Sequence, residues 1–328
     1  MTMKVCIYGA GAIGGMLGAR LGAAGHTMTA VARGATLAAL ARHGLRLQRA
    51  DGLVTAPVHA AEDPAALGAQ DLVVVAVKGP AVGTIAARIA PLLASHTMVL
   101  VAMNGVPWWF FDGMPGPLAG MRLRTLDPDG AIAAAIPSTQ VIGCVVHASC
   151  MTSEPGLVRH VMGDGLIVGE ARGGASVRVG ELAQTLTSAG FDARPSERIQ
   201  QDIWYKLWGN MTMNPISAFT GASTDQMLDD DLVNGYCLAV MAEAAAIGAR
   251  IGCPIAQSGE DRMAVTRKLG AFKTSMLQDA DAGRPLEIDA LLAVVREIAE
   301  RVKVPTPHLD GLLGLTRLFA RNRGLYPR

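Results

Sequence analysis

The fold is decided by a short stretch near the start of the chain, KVCIYGAGAIG at residues 4–14. Lys4–Tyr8 is a short and mostly apolar run, which predicts a β-strand. The glycine-rich turn Gly9-Ala10-Gly11-Ala12-Ile13-Gly14 follows at once, and the small and apolar residues after it predict a helix that ends at Gly25. Thr27–Ala32 is a second β-type run. A strand, a glycine turn, a helix and a second strand together predict one βαβ unit.

The spacing of the three glycines favours the binding of a dinucleotide. Gly9 permits the tight turn, Gly11 lets a pyrophosphate approach the backbone, and Gly14 lets the helix pack closely on the strand. The N-terminus of the helix adds N–H donors and a partial positive charge for the same group. We therefore expect all six residues of the turn to line a cofactor. The alternative is that the glycines only shape a tight turn.

The residues after the second strand bear on the choice between NAD and NADP. An NAD site usually has an acidic residue about 20 residues after the glycines, where it holds the ribose hydroxyls. This chain has no Asp or Glu before Asp51, and Arg33 stands where the acid is expected. Because a guanidinium pairs well with a 2′-phosphate, we expect NADP or NADPH, with Lys78 as a second phosphate or ribose contact. The alternative is that Arg33 is a solvated loop charge.

Strands and helices continue to alternate through the first half of the chain. Asp71–Val77 and Met98–Met103 predict strands, Val82–Leu93 between them predicts a helix, and Val141–Val146 predicts a further strand. This repeated pattern predicts an α/β fold with a doubly wound parallel sheet. The residues between 107 and 137 are rich in Gly and Pro and have no periodicity, which predicts a long irregular excursion.

The second half has a different character. Leu157–His160 and Leu166–Gly169 predict a hairpin, and after Pro195 the signal is almost entirely helical, with Ser196 as the predicted N-cap of the first helix. The candidate helices are 197–213, 225–249, 257–280, 286–301 and 306–322, with Pro215 among the residues that punctuate them. We therefore predict two domains, an NADP-binding domain over 1–195 and a helical substrate-binding and catalytic domain over 196–328.

The composition excludes several classes of protein. The 328 residues carry 29 Lys+Arg against 28 Asp+Glu, so no charge excess favours nucleic acid or an anionic membrane. The five cysteines have no CxxC spacing and the seven histidines form no metal-binding pair, so we expect a reduced, cytoplasmic protein without a metal site. Two long uncharged stretches, Ile89–Phe111 and Ala131–Ser153, are better explained as buried strands with their turns than as membrane spans.

One segment of the helical half combines polar groups with an apolar setting. Lys206, Asn210 and Asn214 are four residues apart, so they share one face of a helix, and their neighbours are Trp, Leu and Met. Amide and ammonium groups in such a setting need partners, which a polar ligand would provide. Lys206 is therefore a candidate general acid or base. The alternative is a lysine whose ammonium reaches solvent and two amides that cap turns.

Two further polar residues are candidates. Asn104 directly follows the predicted strand Met98–Met103 and could hold the nicotinamide ribose or the substrate, or belong to a simple Asn-Gly turn. Glu287 opens a helix together with Asp289, where acidic residues interact well with the helix dipole. If Glu287 faces Lys206 instead, it would set the protonation state of that lysine.

Taken together, these residues resemble the ketopantoate reductase family (2-dehydropantoate 2-reductase). The resemblance is carried by Gly9–Gly14, Lys78, Asn104-Gly105, the helix with Lys206, Asn210 and Asn214-Pro215, and Ser275–Asp279 followed by Glu287-Ile288-Asp289. It implies a Rossmann-type N-terminal domain and an all-helical C-terminal domain. It also implies an oxidoreductase that uses NADPH to reduce ketopantoate, a 2-keto acid, to pantoate in pantothenate (vitamin B5) biosynthesis.

The resemblance also implies a role for each polar residue. Lys206 would be the general acid that protonates the keto oxygen as hydride arrives at the adjacent carbon. Three side chains would hold the hydroxyl and carboxylate of the substrate: Asn210, Asn214 and Ser275. Asn104 would touch both cofactor and substrate. Glu287 would bind near the nicotinamide ribose and help to orient Lys206.

Three features depart from the family pattern. Thr224 stands where familiar members have a further substrate-binding Asn, and Glu287-Ile288-Asp289 continues as Ala290-Leu291-Leu292-Ala293 where an Asn-Gly is common. Four consecutive aromatic residues, Trp108–Phe111, follow Asn104-Gly105. They could line a more apolar substrate pocket, belong to the core or make a dimer contact.

The aromatic run motivates a second hypothesis, a reductase or dehydrogenase of bulkier 2-keto or 2-hydroxy acids of the D-mandelate dehydrogenase kind. A third hypothesis is a non-catalytic NADP-binding sensor, which the presence of the complete polar set disfavours. The expected partner is a small-molecule 2-keto acid, and an Ala/Leu-rich helical domain is compatible with a homodimer.

Overall fold

Strand β1 (Lys4–Tyr8) lies inside a ten-stranded sheet, as its apolar residues predict. The structure, a computed structural model, describes residues 2–327. The other strands are β2 (Thr27–Val31), β3 (Leu45–Arg49), β4 (Gly52–Ala56), β5 (His59–Ala61), β6 (Leu72–Val75), β7 (Met98–Val101), β8 (Val141–Glu154), β9 (Leu157–Glu170) and β10 (Asp192–Ser196). Their order across the sheet is β4-β3-β9-β8-β7-β6-β1-β2-β5, and β10 pairs with β9 outside this path.

Six adjacent strands run parallel to one another, in the order β8, β7, β6, β1, β2 and β5, which confirms the predicted fold class. Tyr8 pairs with Val31 on one side and with Val75 on the other, so β1, β2 and β6 end at the same edge of the sheet. The rest of the sheet is mixed, because β9 runs antiparallel to β8 and β4 runs antiparallel to β3. A tight turn joins β8 to β9 at Gly156, whose φ of 72° favours glycine, and such a turn dictates an antiparallel pair.

Helices cover this sheet in the first half of the chain. They are α1 (Ala12–Ala23), α2 (Gly34–His43), α3 (Val82–Ala86), α4 (Ala131–Ala135) and α5 (Val177–Ser188), with single turns of 3₁₀-helix at Pro64–Ala66, Gly79–Ala81 and Ala90–Leu92. Met16, Leu17 and Leu21 of α1 pack with Val5 and Ile7 of β1 in one buried core. The helix that follows the glycine turn is therefore held against the sheet along its buried face.

Helices also dominate the second half, as predicted. They are α6 (Ile199–Thr220), α7 (Thr224–Asp229), α8 (Asp231–Arg250), α9 (Gly259–Arg267), α10 (Ser275–Asp281), α11 (Val294–Val302) and α12 (Pro307–Asn322). One turn of π-helix, Asp289–Ala293, leads directly into α11.

Several predictions for the first half are wrong. Leu157–His160 and Leu166–Gly169 are parts of the single strand β9, which pairs with β8 along most of its length, and they do not form a hairpin with each other. The helix predicted over Val82–Leu93 ends at Ala86. The N–H of Arg88 donates to the Ile85 carbonyl, three residues earlier, so the chain leaves the α-helical hydrogen-bond pattern there. Pro91, which has no N–H, lies in the separate 3₁₀ turn Ala90–Leu92 and is incompatible with a helix interior at that point. Ser196 lies at the end of β10, where its Oγ accepts the N–H of Arg198 at 3.1 Å, so it is not the residue before α6.

Two helix boundaries in the second half are also corrected. Pro215 does not end α6, which continues to Thr220 although proline removes one backbone donor. The residues around Pro215 are buried, so packing offsets the lost hydrogen bond. Asp230 interrupts the helix predicted over 225–249, because its Oδ1 accepts the N–H of Val233 at 3.0 Å and caps α8.

Contacts divide the chain into two compact units. The first unit comprises the residues up to Met103 together with Asp129–Ile199, and the second comprises Asn104–Pro128 together with the residues from Gln200 onward. The sequence predicts a boundary at 195 and assigns the whole irregular excursion to the first domain. Instead, the segment Asn104–Pro128 belongs with the helical unit.

Burial determines the state of the cysteines. No disulfide joins them within residues 2–327, and Cys6 and Cys237 are buried. Burial raises the pKa of the Cys6 thiol to about 11 and that of Cys237 to about 12. Both are therefore uncharged, small apolar side chains at neutral pH, which is the use that the sequence predicts.

One helix of the described residues, α8, is long and apolar enough to cross a membrane by length and composition alone. The same helix accepts two hydrogen bonds inside the second unit. The indole N–H of Trp204 donates to the Ala244 carbonyl at 3.2 Å, and that of Trp208 donates to the Met241 carbonyl at 2.8 Å. These contacts attach one face of α8 to α6.

Candidate active site

The glycine turn after β1 forms an open cradle at the start of α1. Gly9 has a φ of 105°, and a Cβ on Gly14 would lie 2.0 Å from the Gly9 carbonyl oxygen, so both positions require glycine. Gly11, by contrast, has nothing within 4 Å of the place where its Cβ would be. The space over Gly11 leaves the backbone open to a ligand.

The N-terminus of α1 has no capping side chain and no acidic residue in its first turn. Its N–H groups are thus available to an anion, and the helix dipole favours negative charge there. A dinucleotide pyrophosphate fits this cradle, with Gly9, Ala10, Gly11, Ala12, Ile13 and Gly14 as the residues that would hold it.

Arg33 follows the carboxyl end of β2, the strand beside β1, and its side chain is exposed. Within residues 2–327 its guanidinium has no ion-pair partner, and α2, which begins after it, has no acidic residue in its first turn. Lys78 lies three residues beyond the end of β6, half-buried, and immediately precedes the 3₁₀ turn Gly79–Ala81. Because β1, β2 and β6 end at the same edge of the sheet, the two cations and the glycine turn all come after strands that end at that edge.

Helix α6 carries Lys206, and two tryptophans fix the orientation of this helix. Trp204 and Trp208 are four residues apart and donate their indole N–H groups to carbonyls of α8. Gly248 of α8 makes room for this contact, since a Cβ there would lie 2.5 Å from Trp204 Nε1. Lys206 lies midway between the two tryptophans, so it projects from the side of α6 that is turned away from α8.

The ammonium of Lys206 is half-buried and hydrogen-bonded. Its Nζ donates to Oδ1 of Asn104 at 2.8 Å, although the two residues are 102 positions apart in the sequence. The structure thus brings together two predicted site residues that sequence spacing alone does not connect. An amide oxygen carries no net charge, so this contact orients the ammonium and does not itself neutralise it.

Asn210 and Asn214 continue the face of α6 that begins at Lys206. Asn210 is half-buried and Asn214 is 7% exposed. Within residues 2–327 neither side-chain amide forms a hydrogen bond with another residue. Both amides can therefore bind a ligand that carries hydroxyl and carboxylate oxygens.

The remaining predicted residues lie in different surroundings. Ser275 is exposed at the first position of α10, after the N-cap Thr274. Glu287 is half-buried and precedes the π turn. Thr224, which stands where an Asn is common, is 2% exposed, and its hydroxyl donates to the Gly270 carbonyl at 2.6 Å. Thr224 therefore fastens the loop that leads to Ser275 and is not available to a ligand.

The aromatic run belongs to the core of the second unit. Trp108 is 5% exposed, and the next three residues are at most 1% exposed. The ring of Phe110 meets Phe111 edge-on at 5.1 Å and lies 6.1 Å from the ring of Trp204. The run therefore anchors the segment Asn104–Pro128 to α6, and its packing removes the sequence argument for an aromatic substrate pocket.

Two further attachments of this segment were not predicted. The Glu297 carboxylate accepts the backbone N–H groups of Arg124 and Thr125, each at 2.8 Å. The N–H of Val106 donates to the Ala290 carbonyl at 2.9 Å. In the sequence, only Gly105 after Asn104 indicates a close backbone contact at this point, because glycine has no side chain to block it.

Comparison with known proteins identifies the family. The family model "Ketopantoate reductase PanE/ApbA" matches residues 5–173, and the model of the C-terminal part of that family matches residues 198–320. A 2-dehydropantoate 2-reductase of Mesorhizobium japonicum is 45% identical over 325 residues, which cover 99% of this chain and 100% of the relative.

Solved structures agree with this result. A crystal structure from Ralstonia solanacearum MolK2, provisionally named a ketopantoate reductase, is 61% identical, with a TM-score of 0.96 and coverage of 99% of this chain and 100% of the other. A structure of D-mandelate dehydrogenase with NADH and anilino(oxo)acetate has a TM-score of 0.84 at 19% identity, over 98% of this chain and 100% of the other, and so shares the fold. The chain belongs to the ketopantoate reductase family of oxidoreductases.

Proposed function

We propose that this protein reduces 2-dehydropantoate (ketopantoate) to pantoate with NADPH, with Lys206 as the general acid, as a step of pantothenate biosynthesis in the cytoplasm. The observation that carries the proposal is the hydrogen bond of 2.8 Å from Lys206 Nζ to Asn104 Oδ1. The helix face that holds Lys206 continues with the amides of Asn210 and Asn214. The full-length similarity to a 2-dehydropantoate 2-reductase supports the choice of substrate.

The polar face of α6 supplies what a 2-keto acid needs. Bound NADPH supplies the hydride. Lys206 holds its proton beside the keto oxygen and transfers it there as negative charge develops on that oxygen. Before the transfer, the ammonium also stabilises this charge, which is the electrostatic part of catalysis. The oxygen accepts one proton and the carbon one hydride, so a 2-hydroxy acid is formed.

The other residues bind and orient the substrate. Asn210 and Asn214 have amide groups that can satisfy the hydroxyl and carboxylate of 2-dehydropantoate, and Ser275 adds a hydroxyl. Asn104 keeps the ammonium of Lys206 directed, and it also touches cofactor and substrate in this proposal. Glu287 binds near the nicotinamide ribose and helps to orient Lys206.

The choice of NADPH rests on charge. Arg33 is an exposed cation at the end of β2, and the acid that would hold the ribose hydroxyls of NAD is missing from this part of the sequence. A 2′-phosphate adds negative charge that a guanidinium pairs with bidentately. Lys78, on the same sheet edge, is the second cation available to the cofactor.

The test is a comparison of substrates and of variants. Purified protein is given NADPH with either 2-dehydropantoate or phenylglyoxylate, and cofactor oxidation is followed. We expect efficient turnover of 2-dehydropantoate, and a preference for phenylglyoxylate would assign the enzyme to bulkier 2-keto acids. Lys206→Ala should lower kcat by roughly 10²–10⁴-fold with little change in NADPH affinity. Full activity in that variant would exclude Lys206 as the acid.

A further inference from the structure

The helix after Glu287 begins with an irregular turn. Over Asp289–Ala293 the backbone is wound as a π-helix, so the N–H of Val294 donates to the carbonyl of Asp289, five residues earlier. In an α-helix the same N–H would donate to Ala290. The π turn therefore releases the Ala290 carbonyl from its α-helical partner, and such turns are frequent at functional sites.

The released carbonyl has a specific partner. It accepts the N–H of Val106 at 2.9 Å. The neighbouring Gly105 is in van der Waals contact with the same group, because a Cβ on Gly105 would lie 2.3 Å from the Ala290 oxygen. Gly105 also has a φ of 84°, which disfavours every other residue type. Two adjacent residues, Gly105 and Val106, thus contact the π turn at the same carbonyl.

This contact lies next to the residue that directs the catalytic ammonium. Asn104 precedes Gly105, and its Oδ1 accepts the hydrogen bond of Lys206 Nζ at 2.8 Å. We infer that the π turn is a positioning element for Lys206, in which the Ala290 carbonyl fixes Gly105 and Val106 and thereby holds Asn104 against the ammonium. The inference rests on the proposed role of Lys206 in catalysis, and Ala290 itself is a positioning residue.

The small side chain of Ala290 suits this contact. Ala290 is 4% exposed, and its Cβ would lie 2.8 Å from a Cβ on Gly105. A small side chain at 290 lets the two backbones approach. The run Ala290–Ala293 therefore supplies a backbone acceptor and a close packing surface.

The test follows Lys206 directly, so that it does not depend on turnover. The chain contains six lysines, so their carbon-13 labelled Cε signals can be resolved by NMR and that of Lys206 assigned by its loss in Lys206→Arg. We expect Gly105→Ala to move the Lys206 signal in the same direction as Asn104→Ala does, while the other five signals stay in place. An unchanged Lys206 signal in folded Gly105→Ala would overturn the inference.

Kinetics supply a second, independent reading. We expect Gly105→Ala to lower kcat by about 10²-fold, as small misplacements of a catalytic group do. Combining Gly105→Ala with Asn104→Ala should cost no more than the worse single change, because both act through one contact. If the fall in kcat of the double variant equals the product of the two single falls, Gly105 acts only through general stability, and the inference is contradicted.

A matched pair covers the case in which Gly105→Ala does not fold. Val106→Pro removes the N–H that donates to Ala290, whereas Val106→Ala retains it with a smaller side chain. We expect the proline variant to move the Lys206 signal and the alanine variant to leave it. Equal shifts would refute the role of the hydrogen bond. If the Lys206 signal responds as expected but the wild type does not reduce 2-dehydropantoate, the positioning stands and the proposed substrate falls.

Discussion

Substitution of Phe110 tests whether the aromatic run is core or substrate pocket. The ring is fully buried and contacts Phe111 and Trp204 at centroid distances of 5.1 and 6.1 Å. Removal of a buried phenylalanine ring costs roughly 3–5 kcal/mol, and each favourable ring pair is worth about 0.5–1.5 kcal/mol beyond its area. We therefore expect Phe110→Ala to lower the free energy of unfolding of the helical unit by about 4 kcal/mol.

The assay uses tryptophan fluorescence. All four tryptophans, Trp108, Trp109, Trp204 and Trp208, lie in the second unit, so intrinsic fluorescence during urea unfolding reports on that unit. At ~2–4 °C per kcal/mol, the melting temperature should fall by about 8–16 °C. The half-exposed Phe319 of α12, whose ring lies under the Arg323 guanidinium at 4.9 Å, is the matched control, and Phe319→Ala should cost much less.

The refuting result is equally specific. If the run is core, Phe110→Leu should change stability and leave the ratio of 2-dehydropantoate to phenylglyoxylate turnover as it is. A stable Phe110→Leu protein whose preference moves between these substrates would place the ring in the substrate pocket and contradict the reasoning.

Three other predictions test the cofactor preference and the attachments of the helical unit. Arg33→Ala should weaken NADPH binding roughly ten- to hundred-fold and NADH binding little, since a hydrogen bond to a charged group is worth about 1.5–3 kcal/mol. Equal weakening of both would show that Arg33 does not contact the 2′-phosphate. Tyr326 donates to Asp289 at 2.5 Å, and its pKa is raised from 10.0 to about 12, first by burial and then by this hydrogen bond. Because the pKa is higher in the folded protein, the protonated hydroxyl stabilises the fold below pH 10, and this stabilisation is lost towards pH 12. Near neutral pH the free energy of unfolding of the wild type should therefore exceed that of Tyr326→Phe by about 1 kcal/mol. Urea unfolding at several pH values should show this difference shrinking above pH 10. A difference that grows with pH would contradict this. Glu297→Gln should weaken the attachment of Asn104–Pro128 by about 1–3 kcal/mol, measured as easier proteolysis of that segment, and unchanged protection would argue against the carboxylate as its anchor.

Local sequence patterns predicted the parts of the fold that depend on local chemistry. The apolar run before Gly9 and the glycine spacing identified β1 and α1, and the four-residue spacing from Lys206 to Asn214 identified a shared helix face. Strand β3 was not predicted, although Leu45-Arg46-Leu47 alternates as a strand does. The run contains no apolar residue besides Leu45 and Leu47, which is too few to distinguish a strand from a polar loop.

The contacts that complete the site depend on distant residues. Arg124 and Glu297 are 173 positions apart, so no local pattern assigns the segment Asn104–Pro128 to the helical unit. The π turn is likewise fixed by partners outside its own helix, Val106 on one side and Tyr326 on the other. The helix pattern over 286–301 predicts that a helix is present there, but it does not predict the π turn with which that helix begins.

Transfer of a labelled hydride tests the central claim most directly. Protein is incubated with 2-dehydropantoate and NADPH that carries deuterium at the transferable position of the nicotinamide, in parallel with Lys206→Ala, and the product is analysed by mass spectrometry. The account predicts pantoate that contains one deuterium on the carbon of the former keto group, formed by the wild type and nearly absent with Lys206→Ala. No labelled pantoate from the wild type, or equal amounts from both proteins, would contradict it.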